Sequence, residues 1–438
     1  MSIKPMRSGI LAALLFAAHT APAVTTPPPA PAQADARSKD IPFLLDELEK
    51  RAGHFFKTKG IQWDAVRKEF AAAAANVKDD AEHVTLCIRL VARLRDGHAG
   101  LRDLKIKLPD LSAGRRWSGS GLQLLTAGGT VFASVAVGSA GKAGIAPGSI
   151  VSRIGGKPAL EWLHATADKG ADDRGFSTTH QARYWAGHWG LADWSDTTLD
   201  IEFLRDGIPV KTTLPRDGGN SHVPYGPIHP PRGLQQIGRQ SYGKTPAGNA
   251  YIHLRDIPAN LPAQLDTILA AVGDAPGLVL DMRANGGGGC DHADVFGRFV
   301  PAGKPWRQYP STGTKPFGGR MIVIVDAGVR SAGETIAGQF KEDGRAYMIG
   351  PSPTAGMSSS KTTITVPSGL FSVYFAIASN KGRFNNGRGI EGIGVPPNEL
   401  TPYEPTEIAR GVDTQIRHAE VLLKTGFPKG SVPFEGEK

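Results

Sequence analysis

A strand that runs into a helix through a turn carrying one serine limits the folds open to this chain more than any other feature. In MIVIVDAGVRSAGETIAGQF, residues 321–340, the β-branched run has the pattern of a strand buried on both faces, and Ile336, Ala337 and Phe340 fall on one helical face. Ser331 then opens the helix, in the positive field of its amino terminus, with the Ala332 N–H directed where an oxyanion would form. The same residues support a plainer reading. Ser331 and Glu334 make S-x-x-E, a capping box in which the serine closes the first turn and the glutamate reaches back. Taken alone, this stretch favours the cap, and the balance rests on the motifs elsewhere in the chain.

Upstream the alternation repeats. NAYIHLRDIP reads as a strand, AQLDTILAAVGD as a helix and GLVLD as a strand, an order that implies a right-handed crossover and a parallel sheet. Residues 281–289 form a glycine-rich turn at the carboxyl end of the last strand, where open α/β sheets place their sites. Four successive glycines allow close backbone approach and N–H groups aimed at an anion. No Gly-Lys-Ser/Thr follows, so the turn is not a phosphate loop. Asp291, His292 and Asp294 are of metal-ligating type but lack partners at fixed spacing; they read as a solvated helix start, and no metal is expected.

At the amino end, Lys4 and Arg7 precede ILAALLFAA and a Pro/Ala spacer, with small-residue cleavage sites at residues 21–23 and 32–34, so residues 1–34 read as an export signal. The expected location is periplasmic or secreted. The apolar run is too short for a stable membrane span. Without these residues, which carry two basic and no acidic side chains, the formal charge falls from +9 to +7. The basic residues are scattered, with no aromatic-interleaved patch, which argues against nucleic acid as a partner. Cys87 and Cys290 stand about two hundred residues apart and are read as separate thiols.

Residues 38–112 read as a helical region ending in LRDGH, where Gly97 stops the helix; taken alone, His98 is a surface-loop residue and Asp96 a capping or solvated one. Residues 113–216 turn to short strands. Within them VGSAGKAGIAPGSIVSRIGG resembles the turn, strand and hairpin of PDZ domains, with Gly144, Ile145, Gly148, Val151, Ile154 and Gly156 in the matching places and Ser149 where aspartate is usual. Residues 160–195 exceed a minimal PDZ domain and carry Trp162, Trp185, Trp189 and Trp194; they read as a helical insertion with its tryptophans on the sheet, the sharper reading being an aromatic lip for substrate. Residues 217–246, rich in glycine and proline, read as a linker, and 247–438 as the α/β domain.

Taken in order, LRDGH, the Gly144 region, DMRANGGG, RSAGE and IEGIGVPP resemble the serine peptidase family of carboxy-terminal-processing (tail-specific) proteases and the tricorn core protease. The resemblance implies a crotonase/ClpP-like α/β catalytic domain with a parallel sheet, preceded by a helical lead-in and a PDZ-like β-rich domain. In the processing branch a lysine of Thr-x-Gly-Lys is the base; here Met357 holds that position, and no motif places nearby Lys361 at the serine. In the tricorn-like branch the base is the histidine of the lead-in, oriented by a glutamate near the carboxyl end, which implies Ser331 as nucleophile, His98 as base and Glu391 as orienter. Gly97 stands where the tricorn protease has a serine linking the two.

The resemblance also implies a backbone oxyanion hole from Ala332 with Gly286 or Gly287, supported by Asp281, Arg283 and Asn285. It implies a PDZ-like site at Gly144, Ile145, Gly148 and Ile150 that takes an extended peptide, by its carboxyl terminus, to feed or gate catalysis. Cofactors are not required. The alternative on the same fold is a non-catalytic protein that binds peptides or a lipophilic ligand. Oligomeric state is open.

Overall fold

The computed structural model describes residues 36–219, 223, 226–380 and 382–431; the expected export signal lies outside them. Three helices lead: α1 (Asp40–Ala52), α2 (Trp63–Ala74) and α3 (Asp80–Ala92). The side chain of Asp79 caps α3 by accepting the Glu82 amide, and Val84, Leu90 and Val91 form its buried stripe. A short strand β1 (Gly100–Arg102) follows the LRDGH turn.

The middle unit is built from β2 (Leu122–Ala127), β3 (Thr130–Ala136), β4 (Val151–Ile154), α4 (Ala159–Gly170), α5 (Thr179–Ala186), β5 (Thr198–Arg205) and β6 (Ile208–Pro215). β2 and β3 form an antiparallel hairpin turned on Gly128 and Gly129, and β4, β5 and β6 pair antiparallel in that order. Leu124, Ile154, Leu163, Ile201 and Phe203 fill the space between them. The inserted segment 160–195 does hold two helices. Trp194 packs edge-on against Trp117, whereas Trp185 faces a cleft described below.

The α/β unit has strands β7 (Gln235–Ile237), β8 (Gln240–Lys244), β9 (Ala250–His253), β10 (Gly277–Asp281), β11 (Arg320–Ile324), β12 (Tyr347–Gly350), β13 (Ser359–Thr365), β14 (Ser372–Ser379) and β15 (Glu399–Leu400). Its helices are α6 (Leu261–Val272), α7 (His292–Gly297), α8 (Ala332–Glu342), α9 (Pro405–Ala409) and α10 (Thr414–Thr425). The main sheet runs β7-β8-β9-β10-β11-β12-β15, parallel from β9 to β15. Its central strands are buried on both faces, by α6, α7 and α8 on one side and by α10 on the other. Part of the predicted linker is sheet: β7 and β8 pair antiparallel along its edge. An edge pair of polar residues such as Gln235 and Gln240 carries no apolar alternation to announce it.

One pairing decides where the lead-in goes. β1 lies antiparallel to β14, with Leu101 opposite Val373, and β14 pairs with β13. Leu44, Leu48, Phe70 and Leu90 of the lead-in share a core with Val373 and Phe375, so residues nearly three hundred apart in sequence fold as one body.

Candidate active site

β11 stops at Ile324, residues 325–330 form the connecting turn and α8 begins at Ala332, so Ser331 stands where the chain reverses from strand to helix. Its backbone has φ 54° and ψ −125°, a region costly to any residue with a side chain, and such strain persists only where neighbours impose it. The neighbours are evident. The Ser331 amide donates to Glu334 Oε2 at 3.1 Å, and the Arg330 amide donates to the Asn285 carbonyl at 2.9 Å. The Ser331 hydroxyl approaches the third helical amide in capping-box fashion without completing a cap hydrogen bond. Cap and candidate nucleophile are therefore compatible.

Glu334 joins this turn to the next loop. It is buried and accepts from the Thr354 hydroxyl and the Gly356 amide, each at 2.6 Å, and from the Met357 amide at 2.9 Å. Burial pushes its carboxyl up to about 7 against those donors. The Thr354–Met357 loop is thereby held at the start of α8.

The glycine turn fits against Ser331. A Cβ on Gly287, whose φ is +77°, would stand 2.8 Å from the Ser331 Cβ, so only glycine permits this approach. The structure differs from the sequence expectation over the donors. The Gly286 amide donates to the Arg255 carbonyl at 3.1 Å and the Gly287 amide to Asn285 Oδ1 at 2.9 Å. The turn supplies shape here, while the Ala332 amide has no acceptor among the described residues.

Below it, Arg283 is completely buried between Asp281, at 2.6 Å, and Asp413, at 3.0 Å; Tyr251 donates to Asp281 at 2.9 Å. Asp413, which also caps α10, has no signal in sequence linking it to residue 283. Asp291 caps α7 and Asp294 pairs with Arg298. Both cysteines are free.

His98 reaches this region because its turn is tied to β14. Asp96, read from the sequence as a capping or solvated residue, is buried: Oδ1 accepts the His98 amide at 2.8 Å and Oδ2 the Ala376 amide at 2.7 Å. Burial pushes His98 down to about 4, with Lys361, Arg102 and Arg330 adding to the effect and Asp96 opposing it. The imidazole is thus a neutral acceptor at ordinary pH. Its Nδ1 is buried without a partner, and no hydrogen bond joins His98 to Ser331 or to Glu391 among the described residues. Lys361 enters through a bulge at Ser360/Lys361 in β13, and its charge acts on Asp96, Glu391, Glu334 and His98. A bulge is invisible in composition.

Glu391 is buried beside Lys59, whose Nζ donates to Oε1 at 2.7 Å; Oε2 is buried without a partner. Burial pushes this carboxyl up to about 7 against the pull of Lys59. The side chain that sequence reasoning missed is Ser177. Its hydroxyl donates to Glu391 Oε1 at 3.1 Å and accepts the Gly97 amide at 2.9 Å. A Cβ at Gly97 would stand 2.7 Å from Gln181 Nε2 and 2.9 Å from Met357 Sδ, so a serine at position 97 would require both side chains to shift, and here the bridging hydroxyl comes from the middle unit. Ser177→Ala leaves the Gly97 N–H unsatisfied, and a loss of about 1–3 kcal/mol of stability is expected in urea unfolding. Ser177→Thr should restore most of it.

One end of the PDZ-like turn packs against α9. A Cβ on Gly148, φ +88°, would stand 2.5 Å from the Ala409 amide of α9; Gly144 faces the Arg205 guanidinium, Ile145 is buried, and Ile150 packs near Phe132, Tyr403 and Ile408. Gly148 and Ile150 stand at a joint between units, whereas Ile145 belongs to the middle unit's own core and Gly144 is exposed beside Arg205. The middle unit touches the candidate site through residues 175–181: the Thr178 hydroxyl donates to the Ala355 carbonyl at 2.8 Å, and His180 Nε2 lies 2.6 Å from the Thr354 carbonyl.

A strained serine between a parallel strand and a helix, next to a glycine turn, is an arrangement compatible with a serine nucleophile. Residues 248–401 match the model of Peptidase family S41. The Carboxy-terminal-processing protease of Bartonella bacilliformis is 25% identical over 296 residues, covering 64% of this chain and 60% of that protein's length. Two structures of mature CPAF, one complexed with lactacystin, each superpose with TM-score 0.65 at 11% identity, over 90% of this chain and 100% or 99% of theirs. At that identity they show the fold.

Proposed function

We propose that the protein is an exported serine endopeptidase that cleaves protein or peptide substrates, with Ser331 as nucleophile, His98 as general base and then acid, and Glu391 as the group that stabilises the imidazolium. The observation that carries this reading is the Ser331 backbone: a residue held at φ 54° by Glu334 and Asn285, against a glycine that fits no other residue, is more than a helix cap requires. In the proposed step, the Ser331 hydroxyl loses its proton to His98 as Oγ bonds the scissile carbonyl carbon, and the Ala332 N–H donates to the carbonyl oxygen as it becomes an anion. His98 then passes the proton to the leaving amine as the acyl-enzyme forms. Water, deprotonated by the same imidazole, releases the acyl group. Glu391 acts through the Ser177 bridge and the backbone at Gly97, and substrate binding brings His98 onto Ser331. The middle unit, read as PDZ-like, gates the site through residues 175–181. Export rests on the sequence of residues 1–34.

The missing His98–Ser331 bond favours a second reading, a ligand-binding protein without catalysis. A fluorophosphonate probe separates the two. Wild-type labelling that disappears in Ser331→Ala supports the peptidase; a folded wild type that never labels, with or without added peptides, supports the binder. The labelling rate should rise with pH through about 7, because Glu391 carries charge only above its raised pKa, whereas His98 is already neutral above about 4. Ser177→Ala removes a donor that favours the charged carboxylate, so the midpoint should move to higher pH. A midpoint near 4, unmoved by this substitution, would remove Glu391 from the mechanism.

A further inference from the structure

Glu391 meets a cation that comes from the lead-in. Two clefts flank this part of the molecule: one of about 690 Å³ opens on His98, Trp185 and Met357, and one of about 880 Å³ lies against Lys59, Ser177 and Gly392. Lys59 has no place in the first, where a substrate would meet His98. Its side chain and that of Glu391 are 1% and 0% exposed, so water does not screen the ion pair between them.

The ammonium is held on three sides. Nζ donates to Glu391 Oε1 at 2.7 Å and to the Leu94 carbonyl at 3.4 Å, and it lies 5.1 Å over the Phe55 ring. The backbone beneath it is fixed as well: Lys59 ends the helical turn Phe56–Lys59, Gly60 closes that turn at φ 65°, and Arg95 donates to the Lys59 carbonyl. The α/β unit makes room for the stem. A Cβ on Gly392, whose φ is +76°, would stand 2.9 Å from Lys59 Cγ, so the glycine that follows Glu391 is what admits this lysine.

A buried ion pair is a poor device for stability, because both charges lose their hydration and apolar side chains of similar volume serve a fold as well or better. The chemistry at Ser331 supplies another reason for it. When His98 takes the proton, the imidazolium needs an anion, and Lys361, Arg102 and Arg330 all oppose its charge. Glu391 answers only as a carboxylate, which burial first and Asp96 second disfavour; Lys59 is the main group acting the other way, with Ser177 after it. Both bind Oε1, and Oε2 stays without a partner, open to the imidazole.

We propose that Lys59 is a positioning residue of the catalytic machinery: it pins Glu391 by one oxygen and balances its charge, so that the lead-in supplies the anion on which His98 depends. The role rests on the peptidase reading.

The test is the pH profile of fluorophosphonate labelling at Ser331, from about pH 5 to pH 10, on wild type, Lys59→Met, Lys59→Arg and the double variant Lys59→Met/Glu391→Gln. Each rate is divided by the folded fraction read by circular dichroism at that pH. Lys59 lowers the Glu391 pKa, so its loss raises it, and the ascending limb near 7 should move up in Lys59→Met by about one unit or more. Below both midpoints that is a loss of about tenfold or more, recovered towards alkaline pH. Lys59→Arg keeps the cation and should keep the midpoint. The double variant should have no such limb. The other charged groups acting with Glu391 are Asp96, Lys361 on β13 and Glu334 on α8, itself pushed up to about 7; a limb that persists near 7 in the double variant belongs to Glu334 and overturns the proposal. A lysine that only supports the fold would lower the rate at every pH and leave the midpoint in place, which also overturns it. If Lys59→Met does not fold, Lys59→Gln, a donor without the charge, should shift the midpoint in the same direction. A wild type that never labels removes the peptidase reading and this role together, whereas a wild type that labels with a midpoint indifferent to both neutral substitutions removes the role alone.

Discussion

Ser331→Ala is expected to lower kcat/KM on any cleaved peptide by about ten-thousandfold to a millionfold, because no neighbouring group can replace the attacking oxygen. The Ala332 amide and the peptide contacts remain, so a small residual rate above the uncatalysed one should persist. His98→Ala should cost nearly as much, and the double variant little more than either, because base and nucleophile act as one unit. Single-turnover kinetics with the same peptide check all three. A His98→Ala rate within about threefold of wild type would take the base away from His98. Lys361, which the β13 bulge brings into electrostatic contact with the same carboxylates, would then be the residue to substitute next.

Arg283→Ala should destabilise the fold by about 3–5 kcal/mol, the range for removing one partner of a buried ion pair, since Asp281 and Asp413 would both lose their counter-charge in the interior. Burial alone would raise the Asp281 carboxyl, but the Arg283 guanidinium outweighs it and holds Asp281 below the usual carboxylate range. In the wild type this contribution is present at neutral pH and is lost as pH falls through the depressed native pKa. In the variant the buried Asp281 carboxyl, without that counter-charge, resists ionisation, so acid protonates it and relieves the strain. The stability gap between the two proteins should therefore be widest near pH 7 and narrow towards pH 4. Denaturant melts at both values measure it; a gap that does not change with pH would mean the loss is one of packing.

Much of the α/β unit could be read directly from the chain. A parallel strand buried on both faces must be written as a continuous apolar run, and a helix start must carry a residue that tolerates the turn; GLVLD, MIVIV and SAGE satisfy both locally. The edge hairpin β7–β8 could not be read this way, since its stability comes from pairing with β9 and leaves no periodic signature.

The candidate site divides along the same line. The sequence by itself determined the Ser331 turn, the glycine approach at Gly287 and the capping partner Glu334, because each depends on residues within a few positions of one another or on a conformation only glycine allows. Tertiary structure alone decided that Asp96 is a buried tether, that Ser177 bridges Gly97 to Glu391, that Lys59 faces Glu391, and that Gly148 is sealed by α9. Each of these is a polar or close contact between segments tens to hundreds of residues apart. Its energy comes from removing both partners from water together, and no local pattern records which two will meet.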